Sequence, residues 1–246
     1  MAQAHRAGAF NDLFIKRFSE LARFLLYTQQ IFFLLFWEQC IMKTILRTGL
    51  VASLLATSAA ANAEWSANIG FMSEYYYRGI FQESTSANGG IDFEKNGWFA
   101  GTWAADVGDG LEVDGYFGYG FTAGAVDLSV GYTGYFYTGD FDDTYQEINL
   151  GAAVGLFSFD VAVGQYDNFD GPTLDYTYYE VTIEKNGLYG RVGGFAQDFE
   201  GEYFEAGYGT TVAEVDLGVT FIYSNEDLIG ESDEALIFTV GKAFDL

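Results

Sequence analysis

The groups in this chain that are numerous enough to do chemistry are carboxylates. His5 and Cys40 are the only histidine and cysteine in 246 residues, so residues 64–246 offer neither an imidazole nor a thiol. That removes imidazole general bases, Ser-His and Asp-His pairs, and the usual ligands of Zn, Cu and haem. A disulfide scaffold is also excluded. Carboxylates, in contrast, are abundant: 35 Asp+Glu against 11 Lys+Arg give a formal charge of −24. Among the acids, only Asp12, Glu20 and Glu38 precede residue 64, and the bases beyond it are just Arg78, Lys95, Lys185, Arg191 and Lys242. Such a set attracts cations, and formally leaves open carboxylate-only catalysis or oxygen-ligated Ca²⁺. It cannot bind nucleic acid, which requires a basic surface.

What positions these carboxylates follows from the rest of the composition. The chain is 50% hydrophobic and 19% aromatic, with 31 Gly and 1 Pro. That is too aromatic for disorder and suits a β-protein. Met42–Ala63 reads as a secretory signal: Lys43 and Arg47 form a basic start, Leu50–Ala56 an apolar stretch too short to span a bilayer, and Ala61-Asn62-Ala63 a cleavage site. Residues 1–41 then read as an upstream extension from a mis-assigned start. The alternative is a hydrophobic anchor over Phe24–Trp37, which Tyr27-Thr28-Gln29-Gln30 interrupts. Residues 64–246 form the folded domain.

From Trp65 onward the apolar residues alternate at a period of two. Leu111, Val113, Phe117, Tyr119 and Phe121 face away from Glu112, Asp114, Tyr116, Gly118 and Gly120. The same pattern recurs over 126–137 and 214–224. About twelve such segments are expected, at 65–80, 89–94, 98–107, 111–123, 126–137, 145–155, 157–167, 175–184, 188–198, 202–212, 214–224 and 234–245, the second starting as early as Ser86. Most reach the roughly 9–11 residues that a tilted strand needs to cross a bilayer. Tight connections, including Asn96-Gly97 and Asn186-Gly187 as type I′ turns, alternate with mostly longer ones. The expected fold is therefore all-β, a transmembrane antiparallel up-and-down barrel of about 12 strands behind a signal peptide. Tyr75, Tyr77, Tyr137, Tyr179 and Tyr223 toward the long loops, with Trp98, Phe99 and Phe244 toward the short turns, are expected as two membrane girdles. Leu236, Phe238, Val240, Phe244 and Leu246 form a terminal stripe of the kind that barrel-insertion machinery reads.

Three blocks carry a family resemblance. Ser73-Glu74-Tyr75-Tyr76-Tyr77-Arg78-Gly79-Ile80-Phe81-Gln82, Gly97-Trp98-Phe99-Ala100-Gly101-Thr102-Trp103-Ala104 and Glu112-Val113-Asp114-Gly115-Tyr116-Phe117-Gly118-Tyr119 resemble, in order, the opening strands of the TorF porin family. Phe81 departs from that pattern, which usually has Ser or Thr there. The resemblance implies a proteobacterial outer-membrane β-barrel with a presumed porin activity.

With the apolar face on lipid, the inward carboxylates are expected to be Glu74, Asp92, Glu112, Asp114, Asp127, Glu147, Asp160, Glu180, Glu205, Glu214 and Asp216, with Arg78 and Arg191 the only bases among them. A low-dielectric wall lined this way favours cations. The expected activity is passive diffusion of small polar or cationic solutes through the outer membrane of a Gram-negative bacterium. No enzymatic activity, cofactor or metal is expected. Outer-membrane lipid, lipopolysaccharide and the insertion machinery are the expected partners. The alternative is a structural or adhesion barrel with a filled lumen, because twelve strands fall between the filled eight-stranded and the open sixteen-stranded cases. In that alternative Arg78, paired with Glu74 or Glu112, holds the interior together. The acidic loops, such as Asp140–Asp143 and Glu231–Glu234, read as a solvated rim, or as weak divalent sites that bridge to lipid head groups.

Overall fold

A strand whose two faces meet different surroundings must carry different side chains on its two sides, and the strands of this chain follow that rule throughout. The computed structural model describes residues 64–246; the signal over Met42–Ala63 and the extension 1–41 lie outside the described residues. The strands are β1 (Glu64–Met72), β2 (Tyr75–Tyr77), β3 (Ile80–Glu83), β4 (Ser86–Lys95), β5 (Trp98–Asp106), β6 (Leu111–Ala123), β7 (Val126–Tyr137), β8 (Tyr145–Val154), β9 (Phe157–Tyr166), β10 (Leu174–Lys185), β11 (Leu188–Gln197), β12 (Glu202–Val212), β13 (Val215–Ser224) and β14 (Asp233–Asp245). One helical turn, α1 (Glu226–Ile229), precedes β14; Asn225 caps its start, and Gly230, at φ 84°, ends it. No helix among the described residues is long and apolar enough to cross a membrane.

Every strand except β2 and β3 belongs to one closed antiparallel barrel, in which each pairs with its sequence neighbour and β1 closes the ring against β14. The twelve-stranded barrel that the alternation implies is what forms. Closure leaves no sheet edge, so the ladder satisfies backbone groups all the way round. Asn96 and Gly97 (φ 52° and 84°) and Asn186 and Gly187 (φ 55° and 81°) adopt the paired positive φ of type I′ turns.

One expected strand is broken. Instead of running through 65–80, β1 stops at Met72 and the chain folds back as the separate β2–β3 hairpin before β4 begins at Ser86. The physical cause lies in the side chains: Tyr75, Tyr77 and Arg78 carry polar tips whose partners lie across the interior, on β6, β7 and β8.

The outside of the barrel is apolar. Ile148, Leu150, Val163 and Phe159 on β8 and β9 are 45–51% exposed, as are comparable residues around the ring. Buried side chains instead face the interior and gather toward the long-loop end, where Met72, Tyr75, Ala105, Val107, Ala162, Tyr178, Tyr203, Ile222 and Ile237 form the core. Four of the expected girdle residues are inside. Tyr75 is 1% exposed and Phe99 8%, and Tyr77 and Tyr137 make interior hydrogen bonds. Phe99 could not share a face with Trp98, because consecutive residues of a strand point to opposite sides. Trp98, Tyr179, Tyr223 and Phe244 do face outward, and the Tyr179 hydroxyl donates to Glu202 at the start of β12.

The two faces make a contrasting prediction. Leu150→Arg, in the middle of the outer belt, is expected to cost about 2–4 kcal/mol of unfolding free energy in lipid vesicles. Ser129→Arg, which points inward on the neighbouring β7, is expected to cost much less. Equal losses in denaturant titrations would show that the assignment of faces is wrong.

Candidate functional site

The hairpin β2–β3 lies inside the barrel. Its residues reach wall residues in every direction: Tyr75 packs edge-on against Trp103 of β5 and donates to Glu112 of β6 (2.5 Å). Tyr77 donates to Tyr135 of β7 (2.6 Å). The Gly79 carbonyl accepts from Ser224 of β13 (2.5 Å), and Tyr76 donates to Asp233 of β14 (2.6 Å). A segment can touch opposite walls of a ring only from its centre.

The hairpin tip is Arg78-Gly79. Both residues have positive φ, 50° and 85°, as a two-residue type I′ turn requires. At Gly79 an added Cβ would run into the Tyr203 ring and Leu228, so glycine is needed there for space as well as for conformation. At the preceding position Asn or Gly is the usual choice, and a residue with a long side chain costs on the order of 1–2 kcal/mol in this region. The arginine is explained by what its guanidinium does. Nη1 and Nη2 make a bidentate pair with Glu147 Oε2 and Oε1 at 2.7 and 2.8 Å. The Tyr178 ring lies 3.9 Å from the guanidinium carbon and the Tyr77 ring 4.9 Å. The two side chains are only 8% and 0% exposed. A fork on a carboxylate combined with a π face is the geometry that favours arginine over lysine.

Glu147 is the hub of this arrangement. Besides Arg78 it accepts from Tyr135 (2.7 Å), Tyr176 (2.9 Å) and Asn149 (2.6 Å), so its lone pairs are used and its charge is matched. Glu112 accepts from Tyr75 and Tyr137 (3.0 Å). Nearer the turn end, Arg191 bridges Glu180 at 3.1 Å and Glu205 at 3.2 Å, and Tyr178 and Tyr203 also donate to Glu180. Asp92 accepts from Tyr116 and Asn68.

The interior thus has two halves. Toward the long loops it is crowded: Tyr75, Tyr135, Tyr176 and Tyr178 are buried with Glu112, Asp114 and Glu147, whereas β3 of the hairpin stays partly exposed and its Phe81 is 45% exposed. Toward the short turns it is lined by small or polar residues that stay partly exposed, among them Asn88, Ser129, Asn149, Ser158 and Thr220. Asp160 lies in this half opposite Glu180 in the ladder.

The sequence-derived candidates divide accordingly. Glu112, Asp114, Glu147, Asp160, Glu180, Arg191, Glu205 and Asp92 line the interior. Asp127 and Asp216 sit at the turn-side ends of their strands, held by Thr122 and Thr211. Glu74 lies partly exposed beside Tyr76, where the chain leaves β1. Glu214 is not inside: it occupies a turn at φ 63°, is 83% exposed and pairs with Lys242 (3.0 Å). The Lys242 ammonium holds its carboxyl below the usual range. Arg78 pairs with neither Glu74 nor Glu112, because the hairpin carries it past them to Glu147. Of the tyrosines that complete the site, Tyr135, Tyr176 and Tyr178 fall in strand-end aromatic clusters that the sequence suggests as girdle, and the structure turns them inward; nothing in the sequence singles out Tyr203. The available signal was Arg78-Gly79 between Tyr77 and Ile80, a turn dipeptide inside an apparent strand.

A family model described as a bacterial protein of unknown function (Gcw_chp) matches residues 56–241. The chain belongs to that family. No curated protein matches it. Among solved structures, a chain from work on the mechanism behind in-meso crystallization of membrane proteins superposes with a TM-score of 0.50 at 10% identity, covering 74% of this family member and 84% of that chain. An outer membrane channel from Pseudomonas putida F1 gives a TM-score of 0.46 at 10% identity, covering 80% of this chain and all of that one. OpdK from Pseudomonas aeruginosa, crystallised with vanillate, gives 0.36 at 14% identity; the match covers 67% of this chain and 58% of OpdK. At these identities the likeness is one of fold.

The central ion pair makes a prediction within this Gcw_chp chain. Arg78→Ala or Glu147→Gln alone leaves a buried charge without its partner, and each is expected to cost about 3–5 kcal/mol. The double variant is expected to lose clearly less than the sum of the two. A double-mutant cycle on unfolding in lipid checks this, and additive losses would mean that the two groups do not depend on one another.

Proposed function

We propose that this protein is an outer-membrane, porin-like barrel that passes small solutes, prefers cations, and is obstructed in this structure by the β2–β3 hairpin. The observation that carries the reading is the division of the closed barrel into an apolar outside and a carboxylate- and hydroxyl-lined inside. In water such an exterior would be a very large exposed apolar patch, whereas in hydrocarbon it is the required surface. The TorF-like blocks and the fold likeness to membrane proteins point the same way. A Gram-negative outer membrane is the location that suits a barrel of this kind.

The cation preference rests on the turn-side half of the lumen. Asp92, Asp160, Glu180 and Glu205 outnumber Arg191 there, and the low-dielectric wall strengthens their field. One observation favours a second reading, a permanently filled structural barrel: the hairpin reaches into the loop-side half and is anchored by a buried ion pair.

Planar-bilayer recording separates the two. Conductance is expected to be small in the native protein and larger when residues 75–83 are replaced by a short Gly-Ser linker. The reversal potential under a KCl gradient is expected to have the cation-selective sign, and Asp160→Lys is expected to move it toward zero. Anion preference would overturn the selectivity, and silence in the linker variant would favour the filled barrel.

A further inference from the structure

We propose that Glu147, Tyr135, Tyr176 and Tyr178 form a binding site for a guanidinium-bearing solute, which Arg78 occupies here as an internal competitor. This deepens the channel reading by naming its solute class, and its transport meaning rests on that reading.

The site belongs to the wall. Glu147 is on β8, Tyr135 on β7, and Tyr176 and Tyr178 on β10; none comes from the hairpin. Without Arg78 the wall would still offer a carboxylate whose orientation is fixed by the hydroxyls of Tyr135 and Tyr176 and the amide of Asn149, together with a ring placed for a planar cation. A fork acceptor beside a π face selects guanidinium over ammonium, which is a compact point charge and cannot use both. The site is preorganised, so little ordering remains when a ligand enters.

Arg78 does not use all that the site offers. Its own Nε–H is buried without an acceptor, and Asp114 Oδ1 is buried without a donor. Asp114 is only 9% exposed and lies in the electrostatic field of both Arg78 and Glu147. A buried polar atom left unmatched costs free energy. A small guanidinium, with N–H groups on all three nitrogens and no tether, can sit closer to these groups than an arginine held by a turn. The occupant is also removable in principle, because the hairpin is a separate sheet that shares no backbone ladder with the barrel; its covalent links run to β1 and β4, and side-chain contacts hold it to the other strands. The acidic turn-side lumen then serves as the region that concentrates such cations.

The test uses purified full-length Arg78→Ala protein and guanidinium chloride at low millimolar concentration, far below denaturing levels. The readout is the temperature at which the folded, heat-modifiable gel band converts to the unfolded one. Guanidinium is expected to raise that temperature saturably, whereas sodium and methylammonium chloride at equal ionic strength leave it unchanged. Wild type, whose site is filled, and Arg78→Ala/Glu147→Gln, whose site is gone, are expected not to respond. Should Arg78→Ala fail to fold, Arg78→Gln keeps most of the side-chain packing without the charge, and recovery of refolding yield by guanidinium is the equivalent result. The proposal is overturned if guanidinium acts no differently from sodium on either variant, or stabilises the Glu147→Gln double variant as well. A saturable shift without bilayer conductance would uphold the site and reject the channel, and conductance without the shift would do the reverse.

Discussion

A strand has two faces, and in hydrocarbon only one of them can carry charge. Most of this structure follows from that constraint. The outer face of the ring is given to Ile, Leu, Val and Phe, so the acids in the middle of the strands are turned inward and the exposed ones lie at strand ends. Inside, the acids crowd into a space with few bases, and each must be solvated, paired or hydrogen-bonded. Arg78 and Arg191 satisfy Glu147, Glu180 and Glu205, and tyrosine hydroxyls satisfy both oxygens of Glu112 and one of Asp92. Tyrosine is well matched to such an interior, because its ring fills volume, its single O–H satisfies a carboxylate, and it adds no charge of its own.

The same reasoning explains the inward glycines. Gly164 faces the Tyr176 ring, Gly193 the Tyr203 ring and Gly207 the Tyr189 ring. An inward tyrosine lies across the neighbouring strand, and only a residue without Cβ leaves room for it. What looks in the sequence like open space along the lumen is partly taken up by rings from adjacent strands. The lumen is therefore narrower than a tally of small residues implies.

Much of the fold was legible because period-two alternation and Asn-Gly turns are local signals. Leu111–Phe121 and Val126–Tyr137 declare their faces, and Asn96-Gly97 and Asn186-Gly187 declare their turns. The site was much less so. Tyr75, Tyr77 and Tyr137 near strand ends satisfy the description of a girdle just as well as that of an interior network; which one applies depends on Glu112 and Tyr135, far off in sequence. Phe99 was decidable by parity alone, since Trp98 beside it already held the outer face. Arg78-Gly79 carried a turn signal, but an alternating stretch on either side masked it. The block Ser73–Gln82, which carries the first part of the TorF resemblance, turns out to be the inward hairpin and its approaches. Its Tyr and Arg-Gly pattern describes the internal structure of the barrel, not a spanning strand.

The ring is closed by its two ends, β1 against β14, while the hairpin is tethered immediately after β1. The seam cannot be sewn until the final residues of the chain have arrived. By then the hairpin must already be enclosed, or it must enter afterwards through the loop-side mouth. If it is enclosed early, the nascent wall wraps around a polar nucleus that is present from the first strand onward. Such a nucleus would give the growing sheet a centre of curvature before any closing partner exists.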